Sequence, residues 1–139
     1  MNTDLVNQLY KDIVDYVEKN CNLKVRVVQK TLKQADKFPL ISVTCEDNKN
    51  VIVSTDFNDR TDQITLTINV YAEDMNIGNK VYSSAYIASE LIKLVDEVCS
   101  RKYKLLRTSC RQTPNLDETI YRITARYTKK IISNKNLLI

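Results

Sequence analysis

The sequence predicts an α+β fold: a single antiparallel or mixed sheet of about four to five strands with two helices packed on one face. Three observations lead there. A helix-period apolar stripe opens the chain, a second lies past its middle, and the remaining ordered segments alternate apolar and polar residues with period two. At 139 residues, 43% hydrophobic and 27% charged, the chain supports one core and one domain over residues 1–139, about the last seven of them a flexible tail.

The first helix is expected over residues 3 to 19. Leu5, Val6, Leu9, Tyr10, Ile13, Val14 and Val17 recur at helical spacing, with Asp4, Asn7, Lys11, Asp15 and Glu18 on the other side. Asn2 or Thr3 caps it, Asp4 suits its positive end, and Asn20 with Asn22 ends it. Lys24 to Val28 then alternates as a short strand.

A polar stretch, Gln29 to Lys37, leads to Phe38–Pro39. Proline biases the residue before it toward extended backbone and brings no amide to a ladder, so the pair marks a strand entrance. Leu40 to Cys45 is the strand, Glu46 to Asn50 a turn, and Val51 to Val53 a brief further strand. Ser54 to Asp62 is the most polar segment and reads as a loop.

The clearest strand follows, with Ile64, Leu66, Ile68 and Val70 on one face and Thr65, Thr67, Asn69 and Tyr71 on the other. The first face is core; the second is half-polar, fit for a covered or subunit-facing surface. Met75 to Asn79, with the only glycine, Gly78, is expected to start a long helix to about Cys99. Its stripe is Val81, Ala85, Ala88, Leu91, Ile92, Val95, Val98 and Cys99, and small residues in its first half allow close approach to a neighbour. Strands at about Tyr103 to Arg111 and Glu118 to Ile132, joined across Thr113-Pro114-Asn115, close the chain. The second is long enough to carry the sheet beyond the compact core.

No catalytic, metal or cofactor site is expected. The chain has no histidine, which removes the usual general base near neutral pH and the commonest transition-metal ligand. One glycine excludes phosphate-cradling loops, which need several. Glu46, Asp47 and Lys49 faintly suggest a magnesium-dependent nuclease, and Asp56, Asp59 and Asp62 a hard-cation loop. Turn chemistry explains the first cluster, and Arg60 inside a glycine-free loop opposes the second.

Cys21, Cys45, Cys99 and Cys110 form no CxxC pair and lie within or beside apolar stretches, where free cysteine packs as a small hydrophobe; this implies a reducing compartment. No apolar run approaches the roughly 20 residues of a bilayer span, and the N-terminus lacks the order of a signal peptide, so a cytoplasm and no membrane partner are expected. The net charge of +4, 21 basic against 17 acidic residues, is mild and contains no dense basic run. Arg122, Arg126 and Lys130, with Arg107 and Arg111 on the preceding strand, read as a basic stripe facing a neighbouring subunit, solvent or a lumen carrying DNA.

Several phrases in order resemble the tail terminator, or tail completion, proteins of long-tailed bacteriophages. They are Phe38-Pro39-Leu40-Ile41-Ser42-Val43 after an N-terminal helix, Gln63 through Ala72 ending in a tyrosine-bearing strand, a long helix from near Lys80, and Ile120-Tyr121-Arg122-Ile123-Thr124-Ala125-Arg126-Tyr127. The likeness spans about residues 3 to 132. It implies a non-enzymatic virion assembly protein of the tail or neck: a homohexameric ring that caps the tail tube and meets the head connector. Implied partners are the chain itself, the tube protein, the neck protein, the sheath protein of a contractile tail, and DNA passing without sequence-specific contact. Asp56, Phe57, Asp59, Arg60 and Asp62 are the residues expected to reach a neighbour or the tube. The alternatives are another neck or head-closure subunit, the same part of a phage-tail-like bacteriocin, or, outside this class, a nucleic-acid-binding or nuclease accessory domain.

Overall fold

The computed structural model describes residues 3–21, 23–29, 38–52, 59–113 and 119–134, with the backbone path alone at 3–5, 46–52, 59–64 and 130–134. Helix α1 (Thr3–Asn20) precedes β1 (Arg26–Val28), β2 (Leu40–Ile52), β3 (Asp59–Ala72) and a small hairpin of β4 (Met75–Ile77) and β5 (Lys80–Tyr82). Helix α2 (Ser84–Asp96) runs into a π-helical turn (Glu97–Lys102), and β6 (Leu106–Gln112) and β7 (Tyr121–Asn134) complete the fold. The main sheet has the order β1-β2-β3-β7-β6. β1 runs parallel to β2 and every other pairing in it is antiparallel, so the sheet is mixed and the α+β expectation holds.

Alternation decides which side of the sheet the helices take. Ile41, Val43, Leu66, Ile68, Val70, Ile123, Ala125 and Tyr127 point to one side, where Leu9, Ile13 and Val17 of α1 and Ile87, Leu91 and Val95 of α2 meet them in one core. α2 lies over β3 and β7, and α1 packs against α2, the π turn and β1. The Tyr10 hydroxyl, donating to the Val27 carbonyl at 2.9 Å, ties α1 to β1. The opposite side carries Ser42, Thr67 and Asn69, with a small apolar cap of Leu40, Tyr71 and Ile120 at one end.

Four local expectations are corrected. The long helix begins at Ser84, not near Lys80: residues 75–82 form a hairpin that turns at Gly78 with φ +63, in the left-handed region glycine adopts freely. Val81, assigned to the helix stripe, is 73% exposed on that hairpin. The helix starts where Ser83 accepts from the Tyr86 amide at 3.3 Å and Asp74 accepts from the Ser84 amide at 2.7 Å. Glu46 to Asn50 is not a turn, since β2 continues to Ile52 across an irregularity between Cys45 and Asp47. The first closing strand starts at Leu106, not Tyr103, because the π turn runs to Lys102 and Lys104 follows it with φ 58. Among the cysteines only Cys99 is fully buried, while Cys45 and Cys110 are exposed; all four are free.

Burial, with Asp96 adding, pushes the Cys99 thiol up to about 12. A maleimide at neutral pH is therefore expected to label Cys45 and Cys110 in the folded chain and Cys99 only after denaturation, read by mass spectrometry of peptides.

Candidate assembly surface

Helices cover one side of the sheet, and on the other side Leu40, Ser42, Thr67, Asn69 and Tyr71 are buried as well, so the strand edges are the surfaces left to meet a partner. On the helix-free side the rows are set by register. Thr67 lies between Thr44 and Arg126, Asn69 between Ser42 and Thr124, and Tyr71 between Leu40 and Arg122. Arg111 on β6 stands opposite Thr124. Asn69 organises this face: its Oδ1 accepts from Arg122 Nε at 3.1 Å and from the Thr124 hydroxyl at 2.7 Å. The Thr113 and Thr124 hydroxyls lie 2.6 Å apart, and the Arg122 guanidinium sits 5.4 Å from the Tyr71 ring centroid. Thr67 Oγ1 is buried without a hydrogen-bond partner.

The predicted basic stripe is divided between the two sides. A bulge between Arg107 and Ser109 shifts the register, so Arg107 aligns with Tyr127 of the core side and pairs with Asp96 of α2 at 3.6 Å. Arg111, Arg122 and Arg126 stay together on the helix-free side. Lys130 continues β7 opposite Gln63, in the backbone-only stretch.

Of the residues expected to reach a partner, Asp56 and Phe57 lie outside the described residues. Asp59, Arg60 and Asp62 are not in a loop. They are ladder positions of β3, opposite Asn134, Ser133 and Ile131 of β7, and Arg60 and Asp62 also face Ile52 and Asn50 of β2. Pairing on both sides overrides their polar composition. Asp47 and Lys49 of the suggested nuclease cluster are likewise ladder positions, opposite Thr65 and Gln63.

These pairings make long open edges. β1 covers only Leu40 to Ser42 of β2, and β6 covers β7 only as far as Thr128. Among the described residues no strand pairs with the outer edge of β2 beyond Ser42, or with the outer edge of β7 beyond Thr128. The far ends of β2, β3 and β7 thus form a three-stranded blade. Strands of 13 and 14 residues contrast with a usual length of about five or six.

On the core side Asp96 gathers polar groups that the sequence did not flag. Its Oδ1 accepts from the buried Tyr127 hydroxyl at 2.8 Å and from the Ser100 hydroxyl at 3.1 Å. Burial, then the bond to Asp96, raises the Tyr127 phenol above its ordinary range. Nearby, the Tyr103 hydroxyl bonds Asp12 of α1, and Lys102 lies 3.0 Å from the same carboxylate. The Tyr103 bond outweighs burial and, with Lys102, holds Asp12 below its ordinary 3.8.

A carboxyl depressed by folding stabilises the fold above its unfolded pKa, and that stability is lost as pH falls through the folded value. Tyr103→Phe should therefore flatten the loss of stability below about pH 4, measured as urea midpoint against pH.

Among the described residues no group of three His, Cys, Asp or Glu side chains comes together to hold a metal ion, and no helix is long and apolar enough to cross a membrane. A scan of protein-family models and a search of curated proteins find no match.

Proposed function

We propose that this chain is a structural, non-enzymatic subunit of a bacteriophage tail: a terminator that closes into a ring at the head-proximal end of the tail tube. The observation that carries the reading is the three-stranded blade, whose β2 and β7 edges no strand among the described residues pairs. An exposed ladder of this length templates pairing with another chain unless assembly occupies it. A small domain with such edges is shaped for neighbours at both edges of its sheet. The order of phrases shared with tail terminators supports the particular assembly. In this reading the blade meets the adjacent subunit or the tube, and the ring offers its other end to the neck protein. DNA passes through the middle without sequence-specific contact.

The test is electron microscopy of particles assembled without this chain. Tails of uncontrolled length and unattached heads are expected. Normal tails joined to heads would refute the role. Loss of capsids, with normal free tails, would move the chain to head closure.

A further inference from the structure

The small hairpin, α2 and the end of α1 leave an apolar groove open. Ile77 of β4, Tyr82 of β5, Tyr86 and Leu94 of α2, and Cys21 and Leu23 after α1 line a cavity of about 280 Å³. Ile77 and Tyr86 are 39% and 53% exposed, and the Tyr82 and Tyr86 rings stack with centroids 5.9 Å apart, so one wall is set before anything enters. Large apolar side chains exposed together mark a contact surface. Glu90 is the one charged side chain of the lining, so the groove suits an apolar occupant.

The chain carries a segment of that chemistry. Outside the described residues, Leu137-Leu138-Ile139 is the one run of three large apolar side chains in the sequence. Its own groove is out of reach. β7 runs 14 residues from Tyr121, which stands opposite Ala72 just before the hairpin, to Asn134. At about 3.3 Å per residue this carries Asn134 about 43 Å from the hairpin end of the groove. Toward the groove's other end, Leu94 lies two residues before Asp96, which bonds Tyr127. Tyr127 is still seven residues, or about 23 Å, short of Asn134. From Asn134 to Leu138 the chain spans at most about 14 Å. The groove that the segment can enter belongs to another copy.

We propose that Leu137-Leu138-Ile139 of one copy fills the groove between Ile77, Tyr86 and Leu94 of the next, so that neighbours are linked by an exchanged segment. The proposal rests on the ring reading above and adds a contact away from the β2 and β7 edges. Segment and groove are different surfaces, so each copy gives one and receives one. That is the head-to-tail arrangement that closes into rings. Burial of three large apolar side chains against an apolar wall supplies the driving force. The length of β7 holds the segment far from its own helices, where a neighbour would stand.

Two measurements on the full chain test this. L138C in a C45S/C110S background leaves Cys21 at the groove and Cys99 buried in the core. Mild oxidation with diamide should then join positions 21 and 138 of different copies. The expected products are a ladder of covalent multimers on denaturing gels and the 21–138 peptide pair by mass spectrometry. A link confined to single chains overturns the exchange, and so does its absence from assembled rings. In the second measurement, L137D/L138D and, separately, Tyr86→Glu should each weaken association at least about tenfold, read by sedimentation over a concentration series, with thermal melts unchanged. Association that falls with Tyr86→Glu but not with L137D/L138D gives the groove to another apolar partner and overturns the proposal. Rings unmoved by either variant overturn it and leave the ring reading standing. A parent chain that stays single at every concentration and on tail tubes contradicts the ring reading, and this contact with it.

Discussion

Ile68→Ala is expected to lower the unfolding free energy by about 2–5 kcal/mol, the range for truncating a fully buried isoleucine. Ile68 is fully buried in β3, the middle strand of the sheet, between Val43 on β2 and Ala125 on β7. Its neighbours belong to a ladder paired on both sides, so they cannot collapse into the cavity. A small domain has only about 5–15 kcal/mol in total, so the melting temperature should fall by roughly 10 °C. Thr67→Val, one residue away on the opposite face, is the control. It removes a buried hydroxyl without a hydrogen-bond partner and should leave stability unchanged or raised. Calorimetry of the two variants reads the orientation of β3 directly: equal losses would mean that the faces are misassigned.

Asp96→Ala is expected to have the second largest effect, about 2–3 kcal/mol, because it strands the buried Tyr127 hydroxyl without its charged acceptor. Tyr127→Phe, which removes the hydroxyl together with its need for a partner, should cost about half as much or less. The double variant should cost less than the sum, and the shortfall measures the bond. Arg107 contributes little, since its side chain is 47% exposed at 3.6 Å from Asp96. Chemical denaturation of the four proteins checks this. Strict additivity would contradict the hydrogen bond.

The elements that the sequence made legible are those whose burial follows one period throughout. α1 buries Leu9, Ile13 and Val17 at helical spacing, and Leu66 to Tyr71 alternates in residue type between the helix-covered side and the other, although both sides are buried. Ile123, Ala125 and Tyr127 follow the same rule on β7. The errors fall where pairing decides. Residues 59–62 are polar enough to be a loop, but β7 bonds all four and β2 bonds 60–62. Residues 75–82 resemble the start of a helix because Val81 fits the α2 stripe, although Gly78-Asn79 between two short extended runs is a hairpin signal.

The candidate site was half legible. Arg111, Arg122 and Arg126 were readable as residues of one face. Arg107 was not separable from them, because the bulge that turns it toward Asp96 depends on the partner strand and leaves no mark in β6 itself. Asn69, which positions Arg122 and Thr124, lies 53 and 55 residues from them in sequence and was visible only as a polar residue on a strand. Asp96 and Tyr127, 31 residues apart, likewise meet only through packing.

The most direct measurement is the mass of the purified chain in solution and on isolated tail tubes, by native mass spectrometry and single-particle imaging. A six-copy ring, formed free or at tube ends, is expected from open edges that sister chains occupy. A chain that stays single under both conditions, with its β2 and β7 edges exchanging amide hydrogens as freely on tubes as alone, would contradict it.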